Sequence, residues 1–214
     1  MRNSTQRHSI LCPRGTRRTQ TQRSAESRRR LIDAAIKLLA TRGYSRTSLA
    51  AIGETAGVSR GLVTHHFGSK EQCVVEVVAH IRHLAESTLR EPVELRGMDA
   101  IENLFRTYLQ ETWPHSYAAR AMYVVIVEAL TAGPDLTRAV AENNAVIRAM
   151  IVNWVREAVE LGQVRPQPDA DGMAVVVEGI LRGVLLQILV DPENVERSEA
   201  IEASIRMVRG ALAA

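Results

Sequence analysis

Residues 47–71 read TSLAAIGETAGVSRGLVTHHFGSKE, and the fold follows from how that stretch divides. Ser48–Ala56 and Ser59–His66 read as two short helices, with Gly57-Val58 at the corner between them. A glycine there takes the positive φ that a tight corner needs, and Ser59 can cap the helix it opens. Upstream, Leu31, Ala34, Ala35, Leu38 and Leu39 fall at i, i+3, i+4, i+7 and i+8, one apolar stripe on a longer helix that Gly43 ends. A longer helix followed by two short ones around a glycine corner is a helix-turn-helix within a three-helix unit. Ile52 and Val58 then pack inward against the stripe. Arg60, Gly61, Leu62, Thr64 and His65 are left on or near the outer face of the second short helix.

These outward residue types suit double-stranded DNA. A helix of this width enters the major groove, where an arginine such as Arg60 bonds guanine O6 and N7 together. Gly61 lets backbone come close, and Leu62 offers an apolar contact to a thymine methyl. Thr64, His66 and Lys70 can donate to phosphates. Ser69 opens a fourth helix, with Gln72 placed to complete a capping box and with Val74, Val77, Val78, Ile81, Leu84 and Ala85 on its apolar face. Its N-terminal N–H groups add a further anion contact.

The same stretch closely resembles the DNA-binding signature of the TetR family of bacterial transcriptional regulators. Ile52, Ala56-Gly57-Val58-Ser59, His66-Phe67 and Ser69-Lys70 match it in identity and spacing, after the Thr-rich start at Thr47-Ser48. The resemblance thereby adds Thr47, Ser48 and Ser59 to the DNA-facing set, and it implies a dimer, a palindromic operator and a small-molecule effector. Residues 24–86 fit the family's first four helices; the rest fits in length and layout. Thr64 stands where an aromatic is typical. Gly53 replaces a typical alanine and is expected to weaken its helix by roughly 1 kcal/mol. Ala50 and Ala51 occupy positions where the family often carries polar side chains, so base reading leans on Arg60 and its neighbours.

Charge divides the chain. Residues 1–70 hold 14 basic and 3 acidic side chains, and residues 71–214 hold 13 and 21, within a total of +3. Nine of the basic residues are arginines in the first thirty positions. Residues 1–23 lack apolar periodicity and read as a disordered arginine-rich arm, one that can enter a minor groove. The expected organisation is an arm over 1–23, a helix-turn-helix domain over 24–69, and an effector-binding and dimerisation domain over 70–214. No uninterrupted apolar run approaches the roughly 18 residues of a membrane span, and the N-terminus lacks a signal-peptide core. Cys12 and Cys73 make no disulfide framework. A cytoplasmic protein without membrane partners is expected.

The remainder reads as helix to its end, with about nine helices in all. The fold class is therefore all-α. Met173–Val190 is apolar on more than one face, and Gly179 and Gly183 allow close helix approach. With Leu186 and the Ile201, Ile205 and Val208 face of the last helix, they are expected to form a homodimer interface. As the resemblance implies an effector pocket, the middle helices supply its candidates: Phe105, Tyr108, Trp113, Tyr117, Met122, Tyr123, Met150 and Trp154. Such a lining favours a small apolar or aromatic molecule. No phosphate loop, nucleophile elbow or metal-ligand set occurs, so neither catalysis, a metal nor a cofactor is expected. His80 and His83 stand alone. The expected function is a ligand-responsive, DNA-binding repressor. The alternatives are an all-helical small-molecule binding protein or enzyme without sequence-specific DNA binding, and an architectural DNA coater.

Overall fold

A computed structural model describes residues 20–90, 95–110, 117–166 and 168–213 of the chain. Among the described residues there are nine helices and no strand: α1 (Gln20–Arg42), α2 (Leu49–Ala56), α3 (Arg60–Phe67), α4 (Lys70–Arg90), α5 (Gly97–Leu109), α6 (Tyr117–Glu128), α7 (Pro134–Glu160), α8 (Ala170–Val190) and α9 (Arg197–Leu212). Helix α1 starts at Gln20, inside the stretch expected as an arm. The remaining arm residues, 1–19, lie outside the described residues.

Local chemistry sets the helix-turn-helix. The Ser48 hydroxyl accepts from the Ala51 N–H at 3.2 Å and opens α2; the Ser59 hydroxyl does the same for α3 from Leu62 at 3.3 Å. Gly57 takes φ 70°, as its place at the corner requires. Gly53 is more than a weak helix former. A Cβ there would stand 2.9 Å from the Val58 carbonyl and 3.0 Å from a Val63 methyl, so α2 and α3 cross closer than an alanine allows without a shift. The capping box at Ser69 is half formed. Its hydroxyl accepts from the Gln72 N–H at 3.1 Å, but the Gln72 side chain turns away to Asp135.

Two hydrophobic clusters hold the body. The first joins the inner stripe of α1 (Leu31, Ala35, Leu38, Leu39) with Ile52, Val63, Phe67, the start of α4, and Met122, Val125, Leu136 and Val140 of α6 and α7. The second joins α5, the later part of α7, α8 and α9 around Phe105, Leu109, Ile151, Val155, Leu181 and Leu185. The three-helix unit therefore does not end its packing near residue 69. It shares one core with α6 and the beginning of α7.

Helix α8 is long and apolar enough to cross a membrane by length and composition alone, with mean hydropathy 2.0 over its most apolar window. That average includes Glu178 and Arg182, which form an ion pair inside the fold. Its buried stripe is Ala174, Val177, Glu178, Leu181, Leu185 and Ile188. The opposite side is also apolar, and exposed.

Candidate functional site

The outer face of α3 carries Arg60, Gly61, Thr64 and His65 exposed and Leu62 half-buried, while Val63 and Phe67 anchor the helix below. Arg60 is the first residue of the helix, beside the Ser59 cap, and its side chain lies in solvent. Ser48 and Ser59 use their oxygens as cap acceptors. Each hydroxyl proton stays available to donate outward.

Three expected contacts are placed elsewhere. Thr47 is 1% exposed, with its hydroxyl donating to the Gly43 carbonyl at 2.8 Å, so it fastens the end of α1 and is not presented at the surface. Lys70 points at Tyr44: its Nζ donates to that residue's carbonyl at 3.0 Å and sits 3.8 Å from the ring centroid. To reach a phosphate it must first leave both partners. His66 is half-buried, and burial, reinforced by the neighbouring Arg28, pulls its pKa below the ordinary value. It acts as a neutral packed imidazole more readily than as a cation.

Composition concealed a second point. Arg28 and Arg30 count toward the basic N-terminus but are structural fasteners. Arg28 pairs with Glu76 of α4, donates to the His66 carbonyl at 3.3 Å and stacks 5.2 Å from the Phe67 ring centroid. Arg30 donates to the Ala56 carbonyl at the end of α2. Their place on a helix face pointing at the motif was the only signal in the sequence, and a charge count is blind to it.

The three-helix unit is also latched to the body. Helix α7 opens at Gly133-Pro134 without a cap side chain of its own. Instead, Glu71 in the first turn of α4 accepts the Leu136 N–H at 3.2 Å, and Gln72 Nε2 donates to Asp135 at 3.0 Å. A carboxylate on a helix N-terminus is favoured by both the free N–H groups and the helix dipole. A Cβ at Gly133 would come within 2.8 Å of that carboxylate, so a side chain there would push the tip of Glu71 aside. Glu71→Ala is expected to lower stability by about 1 kcal/mol, as lost caps do. Hydrogen exchange at the amides of 135–137 should accelerate selectively, and unchanged exchange there would show the contact to be idle.

A cavity of about 50 Å³ opens between α4, α5, α6, α7 and α8, with room for only a few waters. Ile81, Ala85, Leu104, Met122, Val146, Ile147, Met150 and Leu181 form its apolar wall; Tyr108, Arg82, Glu86, Asn143, Glu178 and Arg182 also line it. Of the eight aromatic and sulfur side chains expected there, Tyr108, Met122 and Met150 do line it. Phe105 is fully buried in the second cluster and Trp154 packs against that cluster. Tyr117 is exposed. Tyr123 donates its hydroxyl to the Arg182 carbonyl, beside the cavity and not in its wall. Trp113 lies outside the described residues. Helical spacing identifies which side chains face inward; whether they meet a neighbour or a gap depends on how helices cross.

The polar part of the lining was not anticipated. Glu178 is 6% exposed, and its Oε2 accepts from Arg148 at 3.0 Å. Its Oε1 pairs with Arg182 Nη2 at 2.7 Å, and that same nitrogen donates to Asn144 Oδ1 at 2.6 Å. Burial pushes the Tyr108 phenol up to about 12, so it is a neutral group in the wall. An acidic and a basic residue four apart within an otherwise apolar helix were the sequence signal for this network.

On the far side of α8, Val176, Gly179, Gly183, Leu186 and Val190 are exposed at alternating spacings of three and four. This is the seam that helix–helix packing uses. A Cβ at Gly179 or Gly183 would meet nothing within 4 Å. The expected α9 residues fall on the wrong side: Ile201, Ile205 and Val208 are buried in this chain's own second cluster. Its exposed face is Ala203, Met207 and Gly210. The β-branched side chains were drawn into the core, and Met207 was left outside between two small residues.

The description "Bacterial regulatory proteins, tetR family" matches residues 31–77, and "BetI-type transcriptional repressor, C-terminal" matches residues 97–213. The chain is 23% identical over 186 residues to the HTH-type transcriptional regulator UidR of Escherichia coli K12, covering 87% of this chain and 92% of that one. A putative TetR-family transcriptional regulator from Rhodococcus sp. superposes with a TM-score of 0.77 at 18% identity, over 88% of this chain and all of that one. A putative transcriptional regulator from Saccharomonospora viridis, solved in complex with choline, superposes with a TM-score of 0.74 at 21% identity, over 88% and 98%.

Proposed function

We propose a mode of action for this chain, which belongs to the TetR family of bacterial regulatory proteins: it is a ligand-responsive repressor that binds a palindromic DNA operator as a homodimer. The observation that carries the reading is the exposed α3 face of Arg60, Gly61, Thr64 and His65, set on a buried Val63–Phe67 footing that shares a core with the effector-bearing helices. Symmetry presents two such faces, one DNA turn of about 34–36 Å apart. A DNA target fits a cytoplasmic protein, and a relative it resembles carries the name of an HTH-type transcriptional regulator.

Release follows from the arrangement of α4. Its first turn is latched to α7 through Glu71, and Ile81, Arg82, Ala85 and Glu86 line the cavity. Eleven residues of helix separate Glu71 from Arg82, about 16 Å. A ligand that enlarges the cavity presses on the far part of α4, and the latch acts as the pivot. The tilt passes through Arg28–Glu76 and the shared core into α3. The ligand need only favour the tilted state by about 1–3 kcal/mol to shift operator occupancy substantially.

A gel-shift titration against the DNA upstream of the chain's own gene, with a salt series, tests the reading. A discrete dimer complex with a steep salt slope is expected. Arg60→Ala should cost roughly 1–3 kcal/mol per half-site and relax preference at one symmetric base pair. Unchanged affinity and preference would remove Arg60 from the interface. No complex at all would favour an all-helical binding protein without DNA specificity.

A further inference from the structure

We propose that Glu76, an acidic residue of α4, is a positioning residue for operator recognition: through Arg28 it fixes the roll of α3, and so which side chains of that helix meet the bases. The proposal rests on reading the outer face of α3 as the DNA-reading surface, and it names what holds that face in register.

The apolar footing of α3 leaves one freedom. The helix has eight residues, and its two buried side chains, Val63 and Phe67, are four apart. Residues at that spacing lie one above the other along a helix, so they fix the depth of α3 better than its roll about their line. Arg28 of α1 holds the helix off that line. Its Nη1 donates to the His66 carbonyl at 3.3 Å, in the last turn of α3, and its guanidinium carbon stands 5.2 Å from the Phe67 ring centroid. A cation is favoured at that end by the free carbonyls and the helix dipole. The other nitrogen, Nη2, is taken by Glu76. A guanidinium is one rigid plane, so the carboxylate on α4 sets where the contacts to the His66 carbonyl and the Phe67 ring fall. Arg30 ties the end of α2 to α1 through the Ala56 carbonyl, and the tie on α3 runs on into α4. The Arg28 and Glu76 side chains are 42% and 31% exposed, and pairs so exposed add little stability. Their consequence is the placing of α3, not the survival of the fold.

Bare electrostatics gives the opposite sign. A carboxylate near a DNA-binding surface repels phosphate, so its removal tightens binding to every duplex alike. Lost positioning instead weakens the preferred duplex and spares unspecific binding, which rests on phosphate charge.

Anisotropy titrations of the full-length protein separate the two, using a duplex that the wild type selects from a random pool and a shuffled duplex of the same composition. Glu76→Gln is expected to bind the selected duplex about tenfold more weakly and the shuffled one no more weakly, with little change in melting temperature. Arg28→Lys keeps the charge and loses the planar fork, and it should lose the same preference. A plain phosphate contact at Arg28 would survive that exchange with its salt slope intact. Tighter binding of both duplexes by Glu76→Gln, or an unchanged ratio between them in either variant, would overturn the positioning role and leave the DNA-reading face standing. A wild-type protein that selects no duplex would overturn both. Each variant decides alone should the other fail to fold.

Discussion

A chain carrying Val176→Asp and Leu186→Asp should sediment as a monomer, keep its helical content, and bind operator DNA about 10²–10⁴-fold more weakly. The two side chains are 52% and 47% exposed in the single chain, so charging them costs its own core little. Their loss matters only if a second copy covers them. Val176, Gly179, Gly183, Leu186 and Val190 form a seam with the spacing of packed helices, and two glycines let a partner backbone come near. Four aspartates across a two-fold axis would place like charges together where water is excluded. DNA affinity then falls because one half-site no longer raises the local concentration of the other. Analytical ultracentrifugation beside the gel shift checks both halves. A double variant that still sediments as a dimer would assign the α8 seam to another task. The α9 faces can be separated in the same way. Met207→Asp, at a 60% exposed site, should weaken the dimer without unfolding the chain, whereas Ile205→Asp, at 5%, should unfold it.

That contrast separates local rules from packing. All-helical architecture and the helix-turn-helix were legible because they rest on local rules. Leu31–Leu39 repeat at helical spacing, Gly57 stands where the corner needs positive φ, and Ser48 and Ser59 cap the two short helices. The outward set on α3 is fixed once Val63 and Phe67 are seen as its anchors. Faces that depend on another helix's position were harder. Ile201, Ile205 and Val208 form an apolar stripe that any partner would cover, and this chain's own core was the partner. Phe105 and Trp154 read equally well as pocket wall or as filler. Lys70 and Thr47 illustrate a third limit. Their types suit phosphate, and Tyr44 and Gly43, brought near by the turn after α1, use those same donors. Arg28 and Arg30 repeat the lesson for charge, since part of the basic excess is spent inside the fold.

Glu178→Ala should be the most destabilising single truncation in the effector region, lowering the unfolding free energy by about 3 kcal/mol. At a fixed protomer concentration this is roughly 6–12 °C in melting temperature for a chain of this size. Removing the carboxylate leaves Arg148 and Arg182 facing each other beside an apolar cavity. Their side chains are 36% and 21% exposed, so water relieves Arg148 more than Arg182. The expected loss therefore sits at the low end of what breaking a buried pair costs. Replacing both Glu178 and Arg182 by methionine should recover much of it. The double change exchanges a charged pair for apolar volume; Arg148, which can turn to solvent, and Asn144, half-buried, each lose a partner. Chemical denaturation of the three proteins distinguishes the accounts. A single variant that costs less than about 1 kcal/mol would mean that water already solvates the network, and Glu178 would then be no special feature of the cavity. A costly single variant with a recovered double variant means that the chain retains a buried charge it does not need for stability. Retention of such a group beside a cavity is the expected mark of a recognition site, because apolar packing alone would have closed it.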